Sequence, residues 1–147
     1  MGFIVNNAIA SFWVKAYKKE KEILAGVRQT FVTLPAKSTL ILDGFCPYIG
    51  PAVVFTRDWD VTGALMMLYK ERDVRGDVVL PSTQVTENSL IIHQEYPYWQ
   101  LYIYNHTQRT GIKLMNAQDA LWYFEKFNQG YKNGCPPFQE EYGVPVF

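Results

Sequence analysis

From Phe3 to Arg28, the residues Ile9, Trp13, Ala16, Glu20, Leu24 and Val27 recur at three- and four-residue steps, with Tyr17 and Ile23 beside them. That spacing predicts one amphipathic helix, and Glu20 is the one break in its apolar stripe. The first half of the helix is apolar nearly all round; the second half is strongly charged. Phe12 and Trp13 sit at the change, just ahead of Lys15, Lys18, Lys19 and Lys21. A helix leaving a membrane changes character this way, with aromatics at the interface and lysines beyond it. A packed N-terminal helix with a frayed, charged end is the competing reading.

After a loop at Thr33–Lys37, Ser38–Asp43 is a β-branched and apolar run that predicts a buried strand, ended at Asp43-Gly44. Pro47, Gly50 and Pro51 make the next stretch irregular, and Ala52–Phe55 fits a short strand or a helical turn. Asp60 is an N-cap candidate for a helix carrying Leu65, Met66, Leu68 and Tyr69. Asp73–Asp77 then reads as a turn and Val78–Leu80 as a second buried strand. The period changes to two in the second half. Ser89–Gln94 predicts a strand, and Tyr98–Asn105 another, with Trp99, Leu101 and Ile103 on one face and Tyr98, Gln100, Tyr102 and Tyr104 on the other. A turn at His106–Gly111 pairs Ile112–Met115 back as a hairpin. Asn116 and Asp119 form a capping box for a helix over Ala117–Phe127, closed near Asn128 and Gly130. The tail from Asn133 reads as irregular.

Together these elements predict an α/β (α+β) fold: one sandwich of two or three layers with a mixed sheet. An N-terminal strand–helix–strand unit supplies parallel pairing and the later hairpin adds antiparallel strands. No linker interrupts the chain, so residues 1–147 read as one small soluble domain, a helix over 1–28 followed by an α/β body over 33–147. A length of 147 residues suffices for a real core. Lys+Arg and Asp+Glu are equal at 14 each, which argues against nucleic-acid partners, since those select a basic excess. The apolar start lacks the basic flank of a signal peptide and is too short to span a bilayer. Asn6 stands where a myristoylation motif needs Ser or Thr.

Candidate chemistry is sparse. Asp58-Trp-Asp60 has the Asp-x-Asp spacing that holds a divalent cation against a diphosphate, although an acid at a helix start more often serves as a cap. Asp43 ends a buried strand, where α/β folds place their sites, but Asp-Gly is also simply a turn. His93 lies near Glu95, a possible general base without a paired nucleophile. Tyr98, Tyr102 and Tyr104 share a face that could stack on sugar rings, unless a helix such as Trp122–Phe127 covers it. Phosphate loops are absent, no cofactor is implied, and Cys46, Cys135, His93 and His106 do not match zinc-ligand spacing. The two cysteines fit equally well as free thiols in a reducing compartment or as a disulfide in an oxidising one. Asn105-His-Thr is a glycosylation sequon only in a secretory setting.

The order Trp13-Val-Lys-Ala16, then Leu34-Pro-Ala-Lys-Ser-Thr-Leu-Ile-Leu-Asp-Gly44, then Gly50-Pro-Ala-Val-Val-Phe55, closing with Tyr104-Asn-His, Ala117–Phe127 and Gly134-Cys-Pro-Pro, resembles the extramembrane C-terminal region of bacterial polytopic membrane proteins of the glycosyltransferase-C type, the lipid-linked sugar transferases. The catalytic acids of that superfamily lie between transmembrane helices that this sequence does not contain, so none carries over. The resemblance implies a non-catalytic accessory domain on the periplasmic or extracellular face, attached through its N-terminal helix. It also implies an oxidising setting and hence a Cys46–Cys135 disulfide. Two other functions stand beside it, a stand-alone enzyme acting on sugars or nucleotide sugars through Asp58 and Asp60 and a carbohydrate-binding module using the tyrosine face, and the alternative localisation is cytoplasmic.

Overall fold

In the computed structural model, which describes the backbone of residues 2–134 and the side chains of residues 6–127, every residue of strand β1 (Thr39–Asp43) is buried. The chain around it runs α1 (Gly2–Thr30), β1, a β2–β3 hairpin (Tyr48–Ile49, Ala52–Val53), α2 (Asp58–Tyr69), β4 (Arg75–Val78), β5 (Gln84–Val85), β6 (Ser89–Ile91), β7 (Glu95–Pro97), β8 (Leu101–Asn105), β9 (Thr110–Leu114) and α3 (Ala117–Gly134). The main sheet has the order β4-β1-β8-β9. β1 pairs in parallel with both β4 and β8, while β9 folds back antiparallel on β8. The expected α+β fold with a mixed sheet and a long N-terminal helix is what forms.

A strand with parallel neighbours on both sides needs both faces covered. Leu40, Leu42 and Tyr104 pack with Ala16, Ile23 and Val27 of α1 and Val61 and Leu65 of α2. Ile41, Leu101 and Ile103 face the other way, against Leu90 and Tyr96 of the small β5-β6-β7 sheet and Ala120 and Tyr123 of α3. The sandwich therefore has three layers. Among the described residues, no helix is long and apolar enough to cross a membrane.

Several elements depart from the sequence expectation, each for a local reason. Asp60 is not the N-cap of α2. Arg57 holds that position, and Asp60, at the third helical residue, accepts from the Thr56 and Arg57 N–H groups at 3.1 and 3.2 Å. Arg75-Gly-Asp77 is strand rather than turn. The free edge of β4 is stitched to α2 by Thr62, whose hydroxyl accepts from the Gly76 N–H at 2.9 Å and donates to the Gly76 carbonyl at 3.2 Å. The strand expected from Tyr98 starts only at Leu101, because Gln100 adopts a left-handed φ of 48°. The Ser89–Gln94 run stops at Ile91, where the chain turns into β7. α3 continues past Gly130 to Gly134; a helical glycine costs about 1 kcal/mol relative to alanine but removes no hydrogen bond. The expected irregular tail falls at its end outside the described residues.

The seat of α1 on the sheet is close enough to exclude a methyl group. A Cβ on Gly26 would lie 1.9 Å from the hydroxyl oxygen of Tyr104, a fully buried side chain. Gly63, on the exposed side of α2, has nothing within 4 Å. We expect Gly26→Ala to lower stability by about 1–3 kcal/mol through overpacking. Gly63→Ala should raise it by about 0.5–1 kcal/mol through helix propensity. Thermal denaturation of the two variants checks both; a Gly26→Ala protein as stable as wild type would show that α1 does not seat on Tyr104.

Candidate functional site

The strand order turns back at β1: the chain leaves it for β4 on one flank and later enters β8 on the other. The carboxyl end of such a strand is the usual site position in α/β sheets. Asp43 occupies it, 1% exposed. The Tyr123 hydroxyl of α3 donates to Asp43 Oδ2 at 2.6 Å and itself accepts from the Asn105 amide at 3.0 Å. Among the described residues, Asp43 Oδ1 has no hydrogen-bond partner. Burial raises the Asp43 pKa, with the Tyr123 hydroxyl and the Gly44 N–H pulling the other way. Gly44 then turns the chain with φ 79°. Beside this end, buried His106 meets the Tyr104 hydroxyl at 3.3 Å and Glu22 of α1 at 3.7 Å. Burial lowers the His106 pKa, and the charges of Arg109 and Lys19 lower it further.

A second carboxylate, Asp77, was not legible as a site in the sequence because its tripeptide reads as a turn. It is fully buried on β4. Its oxygens accept from His93 Nδ1 at 2.6 Å, the His93 N–H at 3.2 Å, the Tyr96 hydroxyl at 2.8 Å and the Val78 N–H at 2.8 Å. A carboxylate that only accepts fixes the His93 tautomer with its proton on Nδ1. His93 therefore has an orienting acid, but it is Asp77 and not Glu95, which accepts from the Ser89 hydroxyl at 2.8 Å. Among the described residues, no nucleophile completes a catalytic constellation with it. In place, the Asp77 contacts tie the small sheet to the main one.

The Asp-x-Asp pair does not converge. The Asp58 carboxylate is held by the Gln94 side-chain amide, whereas Asp60 is turned to the α2 N-terminus. Burial raises the Asp60 pKa, and also that of half-buried Glu20 on α1, where the Asp60 charge adds to the effect. No group of three or more potential metal ligands occurs among the described residues.

The tyrosine face does not form either. Tyr98 lies beyond the break at Gln100 and donates to the Thr86 carbonyl at 3.0 Å. Tyr104 is fully buried under α1, and half-buried Tyr102 packs edge-on against Phe31 with Lys113 over its ring. Thus α1 covers Tyr104, Phe31 just beyond it packs on Tyr102, and Tyr98 lies in the cluster that holds Phe124 and Phe127 of α3. Trp99, expected on the core face, is 58% exposed because the same break rotates it outward. Cys46 is half-buried ahead of the β2–β3 hairpin; Cys135 lies outside the described residues.

The two buried aspartates should respond oppositely to loss of charge. Asp77→Asn puts an amide donor among four donors and should cost about 2–4 kcal/mol. Asp43→Asn removes a buried charge with an unpartnered oxygen and should raise the melting temperature at pH 8. That gain should shrink as pH falls: the wild-type carboxyl, its pKa raised on folding, takes up its proton in the native state before the unfolded chain does, so acid relieves the penalty. Melting curves from pH 8 to pH 4 test both; an Asp43→Asn protein less stable than wild type at pH 8 would mean that the carboxylate charge is satisfied.

Comparison of the chain with family models, curated proteins and solved structures finds no match.

Proposed function

We propose that this chain is a non-catalytic, extracytoplasmic accessory domain that sits at a membrane surface through α1. The observation that carries this is the outer face of that helix. Trp13, Val14 and Tyr17 are each more than half exposed, although two of them are large aromatics. They lie at the three- and four-residue spacing of one stripe, beside exposed Lys15, Lys18 and Lys21. Lys21 stands over the Tyr17 ring at 4.8 Å and Lys15 over Phe12 at 5.7 Å. Tryptophan and tyrosine prefer the headgroup level of a bilayer, and lysines complement anionic lipid phosphates. Ala16, Ile23 and Val27 on the adjoining face of α1 are already used by the core, which leaves the exposed stripe to the bilayer surface. The resemblance to the extramembrane region of lipid-linked sugar transferases supports the same placement. The enzyme reading through Asp58 and Asp60 lacks the paired free oxygens it needs.

Vesicle co-sedimentation tests this. The protein should bind vesicles containing phosphatidylglycerol, bind phosphatidylcholine vesicles much less, and lose affinity as salt rises. Trp13→Ala combined with Tyr17→Ala should weaken binding about tenfold or more at unchanged stability. Equal affinity of wild type and double variant would overturn the reading.

The same reading puts Cys46 and Cys135 in an oxidising compartment, where they form a disulfide between the β2–β3 hairpin and the tail. A loop of that length contributes on the order of 4–5 kcal/mol in the chain-entropy model. Intact mass of the unreduced native protein should be lower than the reduced one by two hydrogens; two alkylatable thiols in native material would count against it.

A further inference from the structure

We infer that the groove at the amino ends of β1 and β4 is a binding site for an anionic sugar ring, a hexuronate or a hexose phosphate. Its volume is about 530 Å³, within the range of small-molecule sites. Lys37, Arg72, Asp73, Arg75, Pro97 and Trp99 line it. Three cations therefore face one acid in a chain whose formal net charge is zero. The sequence disguises this, because the lining comes from three separate segments, residues 37–39, 72–75 and 97–99.

The groove is held in shape by its own loops. Lys37 and Gln100 both adopt left-handed backbone, with φ 64° and 48°. Non-glycine residues hold that region only where surrounding contacts enforce it. Here the two loops are tied together: the Thr39 N–H donates to the Gln100 carbonyl at 3.0 Å, and the Ser38 hydroxyl donates to Gln100 Oε1 at 3.1 Å. Arg75 is fixed by its bond to Gln94 Oε1 at 2.6 Å and by its seat over the Tyr96 ring at 5.4 Å. Trp99 is left uncovered: among the described residues, no ring or cation packs on its indole.

These parts select the ligand class. An open indole offers a flat apolar surface to the C–H face of a pyranose. Arginine and lysine close by take a carboxylate or a single phosphate, and Asp73 accepts from sugar hydroxyls. The groove has no glycine-rich cradle of backbone N–H groups, which a di- or triphosphate needs. The inference uses neither the outer face of α1 nor the cysteines, so it stands or falls apart from the membrane reading.

The test is titration of the full chain by calorimetry with glucuronate, glucose 1-phosphate, glucose, inorganic phosphate and uridine monophosphate. Saturable binding of glucuronate or glucose 1-phosphate is expected, with neutral glucose and inorganic phosphate at least tenfold weaker; which of the two binds tighter separates the carboxylate from the phosphate ligand. Trp99→Ala and Arg72→Ala should each weaken binding about tenfold at unchanged melting temperature, and Trp99→Phe should restore part of it. No saturable binding of either sugar at millimolar concentration would overturn the proposal. So would inorganic phosphate binding as tightly as the sugar phosphate, or tighter binding of the nucleotide.

Discussion

A central strand with no exposed residue commits the rest of the chain to covering it twice. β1 spends both faces on the interior, with Leu40 and Leu42 to one side and Ile41 to the other. Neither α1 nor α3 alone can enclose it. The order of the elements follows: two helices take one face, and the other is shared between α3 and a small three-stranded sheet too short to hold its shape alone. That sheet is docked by Asp77, which gathers a backbone N–H and the imidazole of His93 and the hydroxyl of Tyr96 from it. The carboxylate acts there as a fully satisfied polar pin inside an apolar interface, the condition under which burying a charge is tolerable.

Asp43 is the contrast within the same sheet. It is as buried as Asp77 but has one strong donor and an oxygen without a partner. In that setting a buried carboxylate is less stable than an amide of the same shape. It sits at the switch-point end of β1, and the phenol between it and Asn105 is itself kept protonated by burial and by the Asp43 charge. The Asp43–Tyr123–Asn105 row thus holds the one buried side-chain oxygen that lacks a hydrogen-bond partner among the described residues.

Much of the fold was legible because its signals are long. The period of α1, the apolar run of β1, the β8–β9 hairpin and the Asn116–Asp119 cap all appear where their residues predict them; the cap closes with the Asp119 N–H donating to Asn116 Oδ1 and Asp119 accepting from the Met115 N–H, both at 2.9 Å. What was hidden depends on contacts distant in sequence. Arg75-Gly-Asp77 has turn composition, and only the Thr62 hydroxyl, the His93 and Tyr96 donors and the close packing of Val61 on Gly76 make it a strand. The tyrosine alternation was a real period, but one left-handed residue at Gln100 divides it. Tyr98 and Trp99 fall on one side of that break and Tyr102 and Tyr104 on the other, so a ligand face read by counting twos dissolves and an exposed tryptophan appears. The paired acids at Asp58 and Asp60 do not converge because the N–H groups at the start of α2 take the Asp60 carboxylate while the Gln94 amide takes that of Asp58.

The two ends of β1 face different surroundings. α1 runs back along the sheet, so its first half lies near the carboxyl end, where the Phe12 ring closes against Gly50 of the β2–β3 hairpin. The basic groove opens at the other end, beside Thr39 and Arg75. The groove and the first half of α1 are therefore set at opposite ends of β1, and neither uses a residue of the other.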